Sequence, residues 1–83
     1  MKVILTKHAE EKLKRKDIKK FKITKRKLRK FLENPRSRSK TKYGNFAVVD
    51  QIDQEHDVRI IYDIIEVGIK VITFHIARKQ RYK

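Results

Sequence analysis

Val58-Arg59-Ile60-Ile61-Tyr62-Asp63-Ile64-Ile65, the spacer Glu66-Val67-Gly68, and Ile69-Lys70-Val71-Ile72-Thr73-Phe74-His75-Ile76 decide how this chain folds. β-Branched and aromatic residues crowd both runs, and such side chains suit extended backbone better than a helical turn. The short glycine-containing spacer predicts an antiparallel hairpin. Both parities of each run are largely apolar, so the two strands read as central and covered on one face. Upstream, Tyr43 to Ile52 is a third run, set off by Asp53-Gln54-Glu55-His56-Asp57, and completes a meander. All four leucines precede residue 33, whereas 13 of the 17 Ile and Val lie between 43 and 77. Helices therefore come first and a sheet second. Met1 to Leu5 reads as a short strand, and Thr6 as the N-cap of a helix from Lys7 to about Asp17. Thr24 caps a second helix, with Ile23 and Leu28 as a hydrophobic staple, and Asn34-Pro35 stops it. The expectation is β-α-α-β-β-β: a two-layer α+β domain over 1–83, two helices packed on an antiparallel sheet.

The chain has 83 residues with 24 Lys+Arg against 10 Asp+Glu, a formal charge of +14, and is 39% hydrophobic. That is enough apolar material for one small core and too much for a disordered chain. Without cysteine there is no disulfide framework, thiol chemistry or cysteine-based zinc site. Apolar runs of a few residues fall far short of the ~20 a membrane helix needs. Thr6-Lys7-His8 interrupts the N-terminus before an apolar signal region develops, so the reading is cytoplasmic. Charged residues at 41% with few Asn, Gln or Met match a thermophile's bias.

The charge is unevenly placed. Residues 1 to 42 hold 18 Lys/Arg and 4 Asp/Glu, while residues 43 to 83 hold 6 of each. Such a field concentrates polyanions, which makes nucleic acid the leading partner and an acidic protein segment the second. Arg26, Arg29 and Lys30 lie on the far side of the second helix from its apolar stripe. In the segment 36–43, Arg36, Arg38, Lys40 and Lys42 alternate with small hydroxyl residues, and an extended backbone would line four cations along one side to track a single strand of phosphates. The alternative is a polar loop whose charges protect an edge strand. Arg78, Lys79 and Arg81 make the tail basic again.

Metal-free RNA cleavage needs a base for the 2′-OH proton, cations on the pentavalent phosphate and an acid for the 5′-oxygen. Histidine suits the proton transfers. His75 shares a strand face with Thr73 and is the candidate, the alternative being a core histidine held by a carbonyl. His8 and Arg15, two helical turns apart, share a face that could meet a phosphate, although His8 near the first turn also reads as a capping residue. Tyr82 could stack on a base or move a proton. No paired carboxylates or glycine-rich loop point to a metal nuclease or a nucleotide cofactor, so neither a metal nor a cofactor is expected.

The succession Thr6-Lys7-His8-Ala9, Arg15, Ile18, Glu33-Asn34-Pro35, Arg59-Ile60-Ile61-Tyr62, Val71-Ile72-Thr73-Phe74 and Arg81-Tyr82 resembles the short RelE-like members of the RelE/ParE toxin superfamily. The resemblance implies a RelE-like fold and a type II toxin that cleaves RNA, including ribosome-associated mRNA, without a metal. It also implies an acidic antitoxin protein held on the sheet. Basic residues on the sheet and a C-terminal tyrosine around the scissile phosphate would map onto Arg59, Arg78 and Tyr82. Some relatives act on DNA gyrase instead, so a protein-directed toxin and a non-catalytic RNA- or DNA-binding module stand as alternatives.

Overall fold

The computed structural model describes residues 2 to 79. Eight elements follow one another: β1 (Lys2–Leu5), α1 (Lys7–Leu13), α2 (Lys16–Lys19), α3 (Lys25–Glu33), β2 (Ser37–Lys40), β3 (Phe46–Gln51), β4 (His56–Ile65) and β5 (Gly68–Arg78). The strands form one sheet in the order β1-β5-β4-β3-β2. The α+β class and the β3-β4-β5 meander stand as the sequence indicates, and three differences correct its detail.

First, the sheet is mixed. β1 pairs parallel with the first residues of β5, Val3 opposite Ile69 and Leu5 opposite Val71, while every other pairing is antiparallel. Parallel pairing needs a long crossover, and the helices and β2–β4 supply it. Second, the first helix does not run to Asp17. It ends after Leu13 and restarts as the single turn α2. A continuous helix at 100° per residue would turn Ile18 to the side opposite Ala9. The break lets both residues reach the core, where Ala9 and Ile18 are buried. Third, residues 37–40 form an edge strand on β3, so the sheet has five strands rather than four.

Caps and packing explain the helices. Thr6 Oγ1 accepts the Ala9 N–H at 3.2 Å, and Thr24 Oγ1 accepts the Lys27 N–H at 3.2 Å. Leu28 and Leu32 of α3 turn inward onto the sheet, where Val48, Val58, Ile60, Val71 and Phe74 are fully buried. By the strand period of two, this covered face also carries Phe46, Tyr62 and Ile76. β1 covers only the start of β5, and α1 continues along the rest of that edge. Thr6 fastens it there: its N–H donates to the Val71 carbonyl at 3.0 Å and its hydroxyl to the Ile72 carbonyl at 2.7 Å. An irregularity between Ile61 and Tyr62 shifts the β4–β5 register, so Tyr62 pairs with Val71 and Ile61 with Thr73.

Two glycines are required by backbone. Gly68 opens β5 with φ 149°, and a Cβ there would run into the Lys2 backbone carbonyl. Gly44 holds φ 88° in the β2–β3 turn. Among the described residues no helix is long and apolar enough to cross a membrane.

Candidate nucleic-acid interface

The sheet face away from α3 carries the side chains that alternate with the core: Thr73 and His75 on β5, Arg59 and Ile61 on β4, Ala47 and Val49 on β3. Arg59 and His75 stand directly opposite each other across the β4–β5 ladder, and Ile61 faces Thr73. Directly opposed side chains on one sheet face are close enough to act on a common ligand. The β2–β3 turn, residues 41–45, rises beside them. Lys40 at the end of β2, Thr41, Lys42, Tyr43 and Asn45 of the turn, and Arg59, Ile61 and His75 of the strands line a groove of about 480 Å³.

The edge of the groove comes from α1. Lys12 Nζ lies 3.3 Å from His75 Nδ1 and 5.5 Å from the centre of the Phe74 ring. When the ammonium donates to Nδ1, the neutral imidazole carries its proton on Nε2. His8 lies one turn before Lys12 on the same helix face, and His8, Glu11, Lys12 and Arg15 line an adjoining hollow. Partial burial, chiefly, pushes the proton affinity of His75 below the ordinary histidine value, with the charges of Lys12, Arg59 and His8 adding to it. Lys12 is itself lowered by burial first and by Arg15 second, with Asp17 opposing. The result is an imidazole biased toward its neutral form, with Lys12 and Arg59 beside it. Thr73 Oγ1, also on this face, is shielded from solvent and has no hydrogen-bond partner among the described residues.

The remaining residues expected to act divide by location. Arg78 follows Phe74 and Ile76 on the covered side of β5, opposite in direction to His75, and meets Glu55 at 3.7 Å. Lys79 Nζ approaches Asp57 at 3.9 Å beyond the end of the groove. Arg26, Arg29 and Lys30 lie on α3, over the other face of the sheet, and Arg29 is paired with Glu33 at 3.0 Å. Arg15 caps α2 and forks onto Asp17 with bonds of 3.1 and 3.0 Å, yet still borders the hollow beside His8. Arg36 donates to Gln51 at 2.9 Å. Arg38 reaches the Leu32 carbonyl and the Lys40 ammonium lies 5.7 Å over Phe46, so both turn to the helix side. Lys40 and Lys42 of that alternating series border the groove, Lys40 with its ammonium turned to Phe46, and because the chain turns at residue 41 the four cations do not share one side. Tyr82 and Arg81 lie outside the described residues.

The structure adds two residues that sequence reasoning passed over. Lys12 was signalled only by its i,i+4 relation to His8, and Tyr43 by an aromatic placed before glycine in a polar turn. No family model matches the chain, and no curated protein or solved structure matches it.

Proposed function

We propose that the protein is a RelE-like endoribonuclease that binds RNA in the groove over β4 and β5 and cleaves it with His75. The observation that carries this reading is a neutral-leaning imidazole placed directly across from an arginine, with a lysine ammonium on its Nδ1. An entering phosphodiester competes for the Lys12 ammonium and the Arg59 guanidinium. Once Lys12 turns to the phosphate, His75 Nδ1 is free to take the 2′-OH proton. The 2′-oxygen then bonds to phosphorus, and Lys12 and Arg59 balance the charge of the pentavalent state. The P–O5′ bond breaks, and the 5′-oxygen takes a proton from a general acid, a role that falls to His8, which acts electrostatically on His75. The products are a 2′,3′-cyclic phosphate and a 5′-hydroxyl end.

The layout supports the RelE-like reading at the level of an α+β domain with helices on one sheet face. An acidic antitoxin protein belongs to the same reading, since a cation-rich groove of this size suits carboxylates as well as phosphates. One observation favours a second reading: in the unliganded protein Lys12 occupies the lone pair that catalysis needs. A non-catalytic RNA-binding module would keep that contact with RNA bound.

The deciding experiment is incubation of single-stranded RNA with the protein in excess EDTA. Cyclic-phosphate ends that disappear in His75→Ala, with the melting temperature retained, establish the nuclease. Binding without cleavage under any condition leaves the module.

A further inference from the structure

We propose that the β2–β3 turn carries a base-stacking site, Tyr43, that restricts the groove to unpaired RNA; this rests on the RNA reading above and adds a substrate class to it. Tyr43 is the most exposed of the large apolar side chains among the described residues, at 79%. It has no role in the core.

Its backbone is fixed. The Tyr43 N–H donates to Thr41 Oγ1 at 3.2 Å, the Gly44 N–H to the Thr41 carbonyl at 3.1 Å, and the Thr41 N–H to the Asn45 carbonyl at 2.8 Å. Gly44 supplies the left-handed conformation that closes the turn. Asn45 Nδ2 ties the foot of the turn to Asp63 Oδ1 at 2.6 Å. The ring is therefore presented from a braced turn, whose backbone has little conformational freedom left to lose on binding.

Its surroundings specify the ligand. The Lys42 ammonium lies 5.1 Å from the centre of the ring. The same groove contains Arg59 and His75. A cation beside an aromatic ring, at the rim of a basic groove, is the pairing that takes a phosphate and its attached base together. With a phosphate at Arg59 and His75, the neighbouring base reaches the rim and lies on the exposed face of Tyr43. A base inside a duplex has both faces covered by its neighbours and offers none to the ring. Every unpaired base has a free face, so the site selects for strandedness and tolerates sequence.

The test uses the full chain and three probes: a 2′-O-methylated single strand that resists 2′-OH attack, a blunt-ended duplex of equal length, and the single strand with one abasic position moved along it. Tyr43→Ala should weaken single-strand binding by about 5- to 150-fold, leave duplex binding and the salt dependence unchanged, and become insensitive to the abasic position that weakens the parent. Tyr43→Phe should bind like the parent. If Tyr43→Ala binds every single strand as the parent does, or if the parent prefers the duplex, the stacking site is overturned while the RNA reading stands. If the parent binds none of the probes, the RNA reading fails and takes the site with it.

Discussion

Salt titration separates the two basic faces of the protein and gives a number in advance. The groove offers three cations to a phosphate chain: Lys12, Lys42 and Arg59. Lys40 is left out because its ammonium turns to Phe46. Each phosphate neutralised on a single strand contributes on the order of −0.7 to the slope of log affinity against log salt. Three contacts give a slope of about −2.1, or roughly an 18-fold loss of affinity between about 50 and 200 mM salt. The double variant Lys42→Gln/Arg59→Gln keeps one contact, a slope of about −0.7 and roughly a 2.6-fold loss over the same range. Both side chains belong to the open face and neither is part of the buried core, so the fold should survive. A matched variant, Arg26→Gln/Lys27→Gln/Lys30→Gln on α3, removes one charge more but from the opposite side of the sheet. Fluorescence anisotropy with a non-cleavable single strand, at four or five salt concentrations, reads both slopes. The assignment of the groove is refuted if the double variant keeps the parental slope, or if the α3 variant flattens it to a similar degree.

Thr6→Ala removes both the α1 cap and the hydroxyl bond to the Ile72 carbonyl, and should cost about 1–2 kcal/mol in chemical denaturation while raising the Kd for RNA, since α1 holds Lys12 at the groove. Gly68→Ala forces a Cβ against the Lys2 carbonyl and should cost at least about 2 kcal/mol, read as a drop in Tm of roughly 10 °C; unchanged melting would contradict the close approach of β1 and β5. Cleavage should rise with pH through the depressed value of His75 and fall again once the general acid loses its proton, and Lys12→Met, by removing a neighbouring positive charge, should move the acid limb to higher pH. Folding stability follows the same sign: the unfolded chain takes up this proton first as pH falls through about 6.5, so Tm should decline on acidification less steeply in His75→Gln than in the parent.

The elements legible in the sequence are those where local chemistry and tertiary need agree. Thr24 caps α3, and Ile23 and Leu28, paired as a staple, are both buried. The three β-branched runs became β3, β4 and β5 with ends shifted by a few residues. The break after Leu13 carries no glycine or proline signal, because it answers a packing demand: Ile18 has to return to a core that a straight helix would point it away from. β2 was hidden for the opposite reason. Ser37-Arg38-Ser39-Lys40 buries none of its four residues and is held as a strand by its ladder to β3, so no hydrophobic alternation betrays it. Its arginine and lysine stand on the free edge of the sheet, where residues 36–43 read as a polar loop rather than a strand. At the site, strand parity was enough to put His75 with Thr73, but pairing Arg59 with His75 needed the β4–β5 register. Lys12, 63 residues from His75 in the chain, needed the whole topology.

The bond from Thr6 to the Ile72 carbonyl closes a loop of 66 residues, and it sets the order in which the molecule can come into being on the ribosome. The first half of the chain emerges carrying most of the positive charge, but α1 has no edge to lie against until β5 has been made. His75, and the strand that aligns it with Arg59, come nearly last. A growing chain therefore has the attraction for polyanions before it has the geometry to direct it, and shortening the protein by one strand would leave a polycation without a groove.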